Sequence, residues 1–111
     1  MVKSINFLVQ GNSDNQYEVR FDFDGSNLNA YCSCPAGMNG QYCKHRLAIL
    51  AGESEKIISE NAADVSVVQS WLPGTDIELA IHDLAEAEHE FDLTKKKLAL
   101  AKKALARAMF R

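Results

Sequence analysis

All three cysteines of the chain, and one of its three histidines, fall between positions 32 and 45. The window reads Tyr31-Cys32-Ser33-Cys34-Pro35-Ala36-Gly37-Met38-Asn39-Gly40-Gln41-Tyr42-Cys43-Lys44-His45, two tight pairs, C-x-C and C-x-H, with eight residues between them. No other feature limits the fold so strongly. A structural zinc ion takes four soft or borderline ligands in a tetrahedron, and three thiolates with one imidazole are a standard set. A one-residue spacing suits a strand or bulged turn, where residues two apart point to the same side. Pro35, Gly37 and Gly40 lie between the pairs and allow the chain to fold back so that both face one ion. Three cysteines leave an odd thiol under any disulfide scheme, whereas a metal site uses all of them. The expected cofactor is one structural Zn2+ per chain, held by Cys32, Cys34, Cys43 and His45. Free thiolates imply a reducing compartment, the cytoplasm, or the nucleus in a eukaryote.

The residues before this window read as antiparallel strands. Ile5, Phe7 and Val9 alternate with polar neighbours, and Gly11-Asn12-Ser13-Asp14-Asn15 is a turn signal. Tyr17, Val19, Phe21 and Phe23 alternate again, and Asp24-Gly25 is a strong hairpin dipeptide. A third strand, Leu28 to Cys32, delivers the first ligands from its end. The second pair opens a helix from about Lys44 to Ala51, stopped by Gly52. A unit this small buries little apolar surface, and a metal is a usual remedy.

The same window resembles the SWIM-type zinc finger, whose pattern is C-x-C, a variable spacer, then C-x-H. Cys32, Cys34, Cys43 and His45 match it position by position. The flanks agree: Tyr31 before the first ligand, Pro35 and Gly37 after the second, and Lys44-His45-Arg46-Leu47-Ala48 opening the helix. The resemblance covers about residues 17 to 52. It implies DNA binding or protein–protein contact, and a shared fold does not choose between them.

Residues 53–74 form a connecting segment in which Val65, Val68 and Leu72, with Trp71 beside them, fit a short amphipathic helix broken by Pro73-Gly74. Trp71 reads as closing the core there, with a binding hot spot as the alternative. From Thr75 to Arg111 there is no Gly or Pro. Thr75-Asp76-Ile77-Glu78 is a capping box, and a helix to the end of the chain would run about 55 Å, against about 30 Å for the globular part. Ile77, Leu84, Phe91, Leu98 and Leu105 repeat every seven residues. Three positions after each comes a small residue: Ala80, Ala87, Thr94, Ala101 and Ala108. Large residues on one seam position and small ones on the other favour close antiparallel pairing of two helices.

Charge supports that pairing. Residues 51–92 hold eleven acids against the single base Lys56, whereas residues 93–111 hold seven bases and no acid. A flipped second copy lays the acidic stretch along the basic one. Two other readings remain: the polarity suits the helix's own dipole, and the alanine stripe can pack on residues 54–72. His82 and His89 fall opposite the seam and read as part of a solvated face.

The expected fold class is α+β: a small antiparallel sheet with a zinc-bound loop and a short helix over residues 1–52, the connecting segment 53–74, and a long amphipathic helix over 75–111. No stretch approaches the length of a membrane span. An enzyme is not expected, because four protein ligands close the zinc and neither a phosphate-binding glycine loop nor a hydrolase elbow is present. Asp22 and Asp24 read as outward acids of an alternating strand. Lys44 and Arg46 beside the ligands are the candidate nucleic-acid contacts, but a net charge of −3 predicts weak, electrostatic binding at most. The favoured reading is a protein-interaction module that binds an unidentified protein partner and forms an antiparallel homodimer.

Overall fold

Apolar residues two apart dictate three strands, and the computed structural model forms them. It describes residues 1–110. Strands β1 (Lys3–Gln10), β2 (Gln16–Phe23) and β3 (Leu28–Cys32) make one antiparallel sheet in the order β1-β2-β3. The register pairs Phe7 with Val19, Ile5 with Phe21, Phe21 with Ala30, and Val19 with Cys32. Because side chains alternate across a sheet, this register puts Phe7, Val9, Val19, Phe21, Leu28 and Cys32 on one buried face. Phe7 and Phe21 meet edge to face, with ring centroids 6.1 Å apart. The other face is polar. There Asp22 accepts from Ser4 Oγ at 2.7 Å and pairs with Arg20 at 3.3 Å, while Arg20 lies 4.4 Å over the Tyr31 ring.

The β2–β3 turn is held by Asp24, whose Oδ1 accepts from the backbone N–H groups of Ser26 and Asn27 at 2.8 and 2.7 Å. Those bonds, Asn27 first, lower the carboxyl pKa below 3.8.

Helices α1 (Pro35–Met38), α2 (Lys44–Leu50) and α3 (Val65–Trp71) follow, with a 3-10 turn at Ala62–Asp64. Helix α2 ends in a Schellman arrangement: Glu53 N–H donates to Ala48 O at 2.9 Å and Gly52 N–H to Ile49 O at 3.0 Å. Gly52 has φ +90°, and a Cβ there would lie 2.7 Å from Gln69 Nε2, so the turn favours glycine there. Ile49, Leu50, Val65, Val68 and Trp71 complete the core. Trp71 stacks on Phe23 at 5.5 Å, as expected of a residue closing the core.

The connecting segment also covers the outer edge of β1. Gln10 N–H donates to Lys56 O, and Ile58 N–H to Leu8 O, both at 2.8 Å. Asn61 Nδ2 donates to Asn6 O at 2.7 Å. An open strand edge invites pairing with other chains, and this stretch removes it.

Helix α4 spans Asp76–Met109, 34 residues, or about 51 Å. Thr75 caps it, its Oγ1 accepting from Glu78 N–H at 3.3 Å. The return bond of the box goes to Gly74 N–H, 3.1 Å from Glu78 Oε1, because Thr75 N–H is already bonded to Leu72 O. The expected last residue, Arg111, lies outside the described residues. The chain divides into two compact units, Met1–Glu78 and a second beginning at Leu79. Residues 53–74 belong to the first. No helix is long and apolar enough to cross a membrane among the described residues.

Candidate metal centre

Each ligand position follows from a local feature of the chain. Cys32 ends β3 on the core side, opposite Val19. Ser33 extends the pairing by one residue: its N–H donates to Glu18 O at 3.0 Å, and Glu18 N–H donates to its Oγ at 2.9 Å. That fixes the direction in which Cys34 leaves the sheet. Cys34 is the N-cap of α1, with Pro35 in the first turn and its Sγ accepting from Gly37 N–H at 3.3 Å. A Cβ on Gly37 would stand 2.4 Å from Cys32 O, so only glycine lets the turn close over the strand end. Cys43 is the extended N-cap residue of α2, and His45 sits in that helix's first turn.

The four ligand atoms lie within 4.8 Å of one another. Cys34 Sγ is 3.4 Å from Cys43 Sγ, and His45 Nδ1 is 3.6 Å from Cys43 Sγ and 3.8 Å from Cys32 Sγ. A tetrahedral zinc site needs sulfur–sulfur edges of about 3.8 Å and sulfur–nitrogen edges of about 3.6 Å. The cluster is therefore the right size for that ion with Nδ1 as the histidine ligand. All three cysteines are free and buried.

The electrostatics suit a cation. Burial, with the neighbouring thiols of Cys34 and Cys43, pushes Cys32 up to about 12. Burial also raises Cys43, but this is outweighed by the Arg46 N–H and by bonds with Cys34, His45 and Cys32, which bring it down to about 6. One thiolate forms readily and opposes the next. A divalent ion removes that opposition and stabilises all three charges together.

Arg46 and Tyr17 support the ligands. The Arg46 guanidinium donates to Ala30 O at 3.2 Å and to Gln41 O, joining the strand that carries the first pair to the loop before the second. The Tyr17 ring lies 5.2 Å from the His45 ring. Sequence reasoning missed both roles. The signal for Tyr17 was its phase in β2, which places it on the face of Val19 and Cys32. Lys44, the other candidate nucleic-acid contact, is exposed. Asn12, Tyr17, Tyr42 and Lys44 line a hollow beside Cys43 and His45.

The remaining candidates stand apart from this centre. Asp22 and Asp24 make the separate contacts described above and do not form a paired site. His82 Nε2 is 3.0 Å from Glu86 Oε1 on an exposed face, and His89 is exposed. On α4, Ala80, Ala87, Phe91, Thr94, Leu98, Ala101, Leu105 and Ala108 are exposed, whereas Ile77 and Leu84 are half-buried.

Comparison with known proteins agrees with the geometry. Residues 17–51 match the SWIM zinc finger family. No curated protein and no solved structure matches the chain. The matched span holds both ligand pairs, the strands β2 and β3 that carry the first, and the helix α2 that opens on the second. Residues 17–51 of this chain are a SWIM zinc finger whose Cys3His set holds one structural zinc ion.

Proposed function

We propose that the protein is a non-enzymatic interaction module: a zinc-stabilised unit that binds a protein partner, on a helix that pairs antiparallel with a second copy. The observation that carries this reading is the bare seam of α4. Phe91, Leu98 and Leu105 are 66, 56 and 59% exposed, and every residue from Ala85 to Phe110 is exposed. A heptad of large apolar side chains on a helix this long is stable in water when a second helix covers it. The non-enzymatic part is supported by the ligand set, since four protein ligands leave zinc no open position for substrate or water. Buried thiolates suit a reducing compartment, the cytoplasm or nucleus.

Nucleic-acid binding is the second reading, carried by exposed Lys44 and the basic end of α4. It is weakened by the hydrogen bonds that hold Arg46 and by the net charge of −3. Binding of this kind is electrostatic, with a small salt slope and little sequence preference.

Light scattering on the zinc-loaded full chain tests the proposal. A dimer that dissociates on dilution is expected; a monomer at high concentration would refute the pairing. A pull-down with and without nuclease tests the partner class. One protein recovered in both supports the module, and recovery lost with nuclease favours the second reading.

A further inference from the structure

We infer that the two copies of α4 pair in one register, with the two-fold axis between Asp92 and Leu93. This rests on the self-association proposed above and adds the alignment of the two chains. In this register Phe91 packs against the partner's Thr94, Leu98 against the partner's Ala87, and Leu84 against the partner's Ala101. Each large side chain meets a small one, and the same rule carries Ile77 onto the partner's Ala108. The seam then overlaps along its whole length.

Charge selects this register over its neighbours. In an antiparallel pair the residues flanking the seam face their counterparts on the other helix. Here Glu88 faces the partner's Lys95, and Glu90 faces the partner's Lys97, each twice by symmetry. Slipping one heptad in one direction sets Glu88 on the partner's Glu88 and Glu90 on the partner's Glu90. Slipping the other way sets Lys95 on the partner's Lys95 and Lys97 on the partner's Lys97. A parallel pair sets Asp83 on the partner's Glu88 and Lys97 on the partner's Lys102, like on like, and only Glu90 on the partner's Lys95 is attractive. Only the central register turns all four contacts attractive. Glu88, Glu90, Lys95 and Lys97 are all exposed, and none joins an ion pair within the chain among the described residues. The His82–Glu86 pair, by contrast, lies away from the seam.

The test is electron–electron distance measurement on the zinc-loaded full chain. A nitroxide amino acid that spares the cysteines is placed at His82 in one sample and at Lys103 in another. The inferred register puts both like-residue separations at about 30 Å along the axis, equal to each other. A one-heptad slip lengthens one and shortens the other by about 10 Å, and a parallel pair makes both short; either result overturns the register while leaving self-association standing. A monomer in light scattering removes the pairing itself. As a second readout, Glu88→Lys with Glu90→Lys should weaken the homodimer by at least about tenfold. Mixing it with the Lys95→Glu, Lys97→Glu chain should restore pairing as a heterodimer. This mixture sets Lys on Glu in any alignment, so it tests the charge contacts while the distances test the register; failure of the mixture to pair while each variant alone still dimerises overturns the charge contacts.

Discussion

The unit Met1–Glu78 and the helical stretch from Leu79 solve the burial problem differently. The first wraps Phe7, Val19, Phe21, Ile49 and Val68 until each is 2% exposed or less, then fastens the sheet end to α2 through four ligands. The second has local order without burial, since no residue of α4 is buried. Hydrogen bonds along a helix are local, so strong helix formers and a capped start define it. Such order remains marginal until an apolar face is covered. The two units therefore look outward differently: the first to an ion and, in the proposed dimer, the second to another chain.

Removing the ion breaks the comparison most sharply. Apparent zinc binding in small fingers is worth about 10–16 kcal/mol, comparable to the whole stability of a domain at about 5–15 kcal/mol. Cys43→Ser, or chelation, is therefore expected to unfold the zinc unit and leave α4 helical. Near-ultraviolet circular dichroism should lose the Trp71 signal, while much of the helical far-ultraviolet signal survives.

Paired truncations come next. Phe21→Ala empties a fully enclosed position and should cost about 3–5 kcal/mol, with a melting shift independent of protein concentration. Phe91→Ala removes a side chain that is bare in the single chain, so its cost should grow as the protein is concentrated. Melts at several concentrations separate the two, and identical behaviour would erase the distinction between the units.

Arg46→Ala sharpens the comparison within the zinc unit. It deletes the link between Ala30 O and Gln41 O, and lost support around metal ligands commonly weakens affinity by about tenfold or more. Competition with a chromophoric chelator measures this. Unchanged zinc affinity together with lost nucleic-acid binding would return Arg46 to the role its charge first suggested.

The sheet, the ligand set, the start of α2 and the start of α4 were legible because each leaves a local signature. Alternation marks Phe7 and Val9, the C-x-C and C-x-H pairs mark the metal, and Thr75 with Glu78 marks the cap. What stayed hidden depends on contacts between distant parts of the chain. Lys56 and Ile58 pair with β1 through backbone groups, which carry no side-chain signature. Arg46 looked like a phosphate contact because carbonyl groups such as Ala30 O are absent from any pattern of residue types. Helix α1 shows in the sequence only as a fold-back through Pro35, Gly37 and Gly40, because one turn is too short to show periodicity.

The smallest expected effect is acid loosening of the β2–β3 turn. Asp24 has a carboxyl pKa lowered below 3.8 by the Asn27 and Ser26 N–H groups. A depressed carboxyl adds stability that is present above 3.8 and lost as pH falls through the folded-state value. Nuclear magnetic resonance titration should show the Ser26 and Asn27 amides moving together with the Asp24 carboxyl, at a midpoint below 3.8. A midpoint at or above 3.8 would deny the turn this contribution.

Hydrogen exchange read by mass spectrometry separates zinc-dependent from concentration-dependent order, because it reports on both units in one sample. The zinc-loaded chain is compared at low and high protein concentration, each with and without a chelator. Protection over residues 17–51 should depend on zinc and not on concentration. Over residues 85–110 it should depend on concentration and not on zinc. Protection lost from both stretches on chelation, or from neither on dilution, would contradict this division between the units.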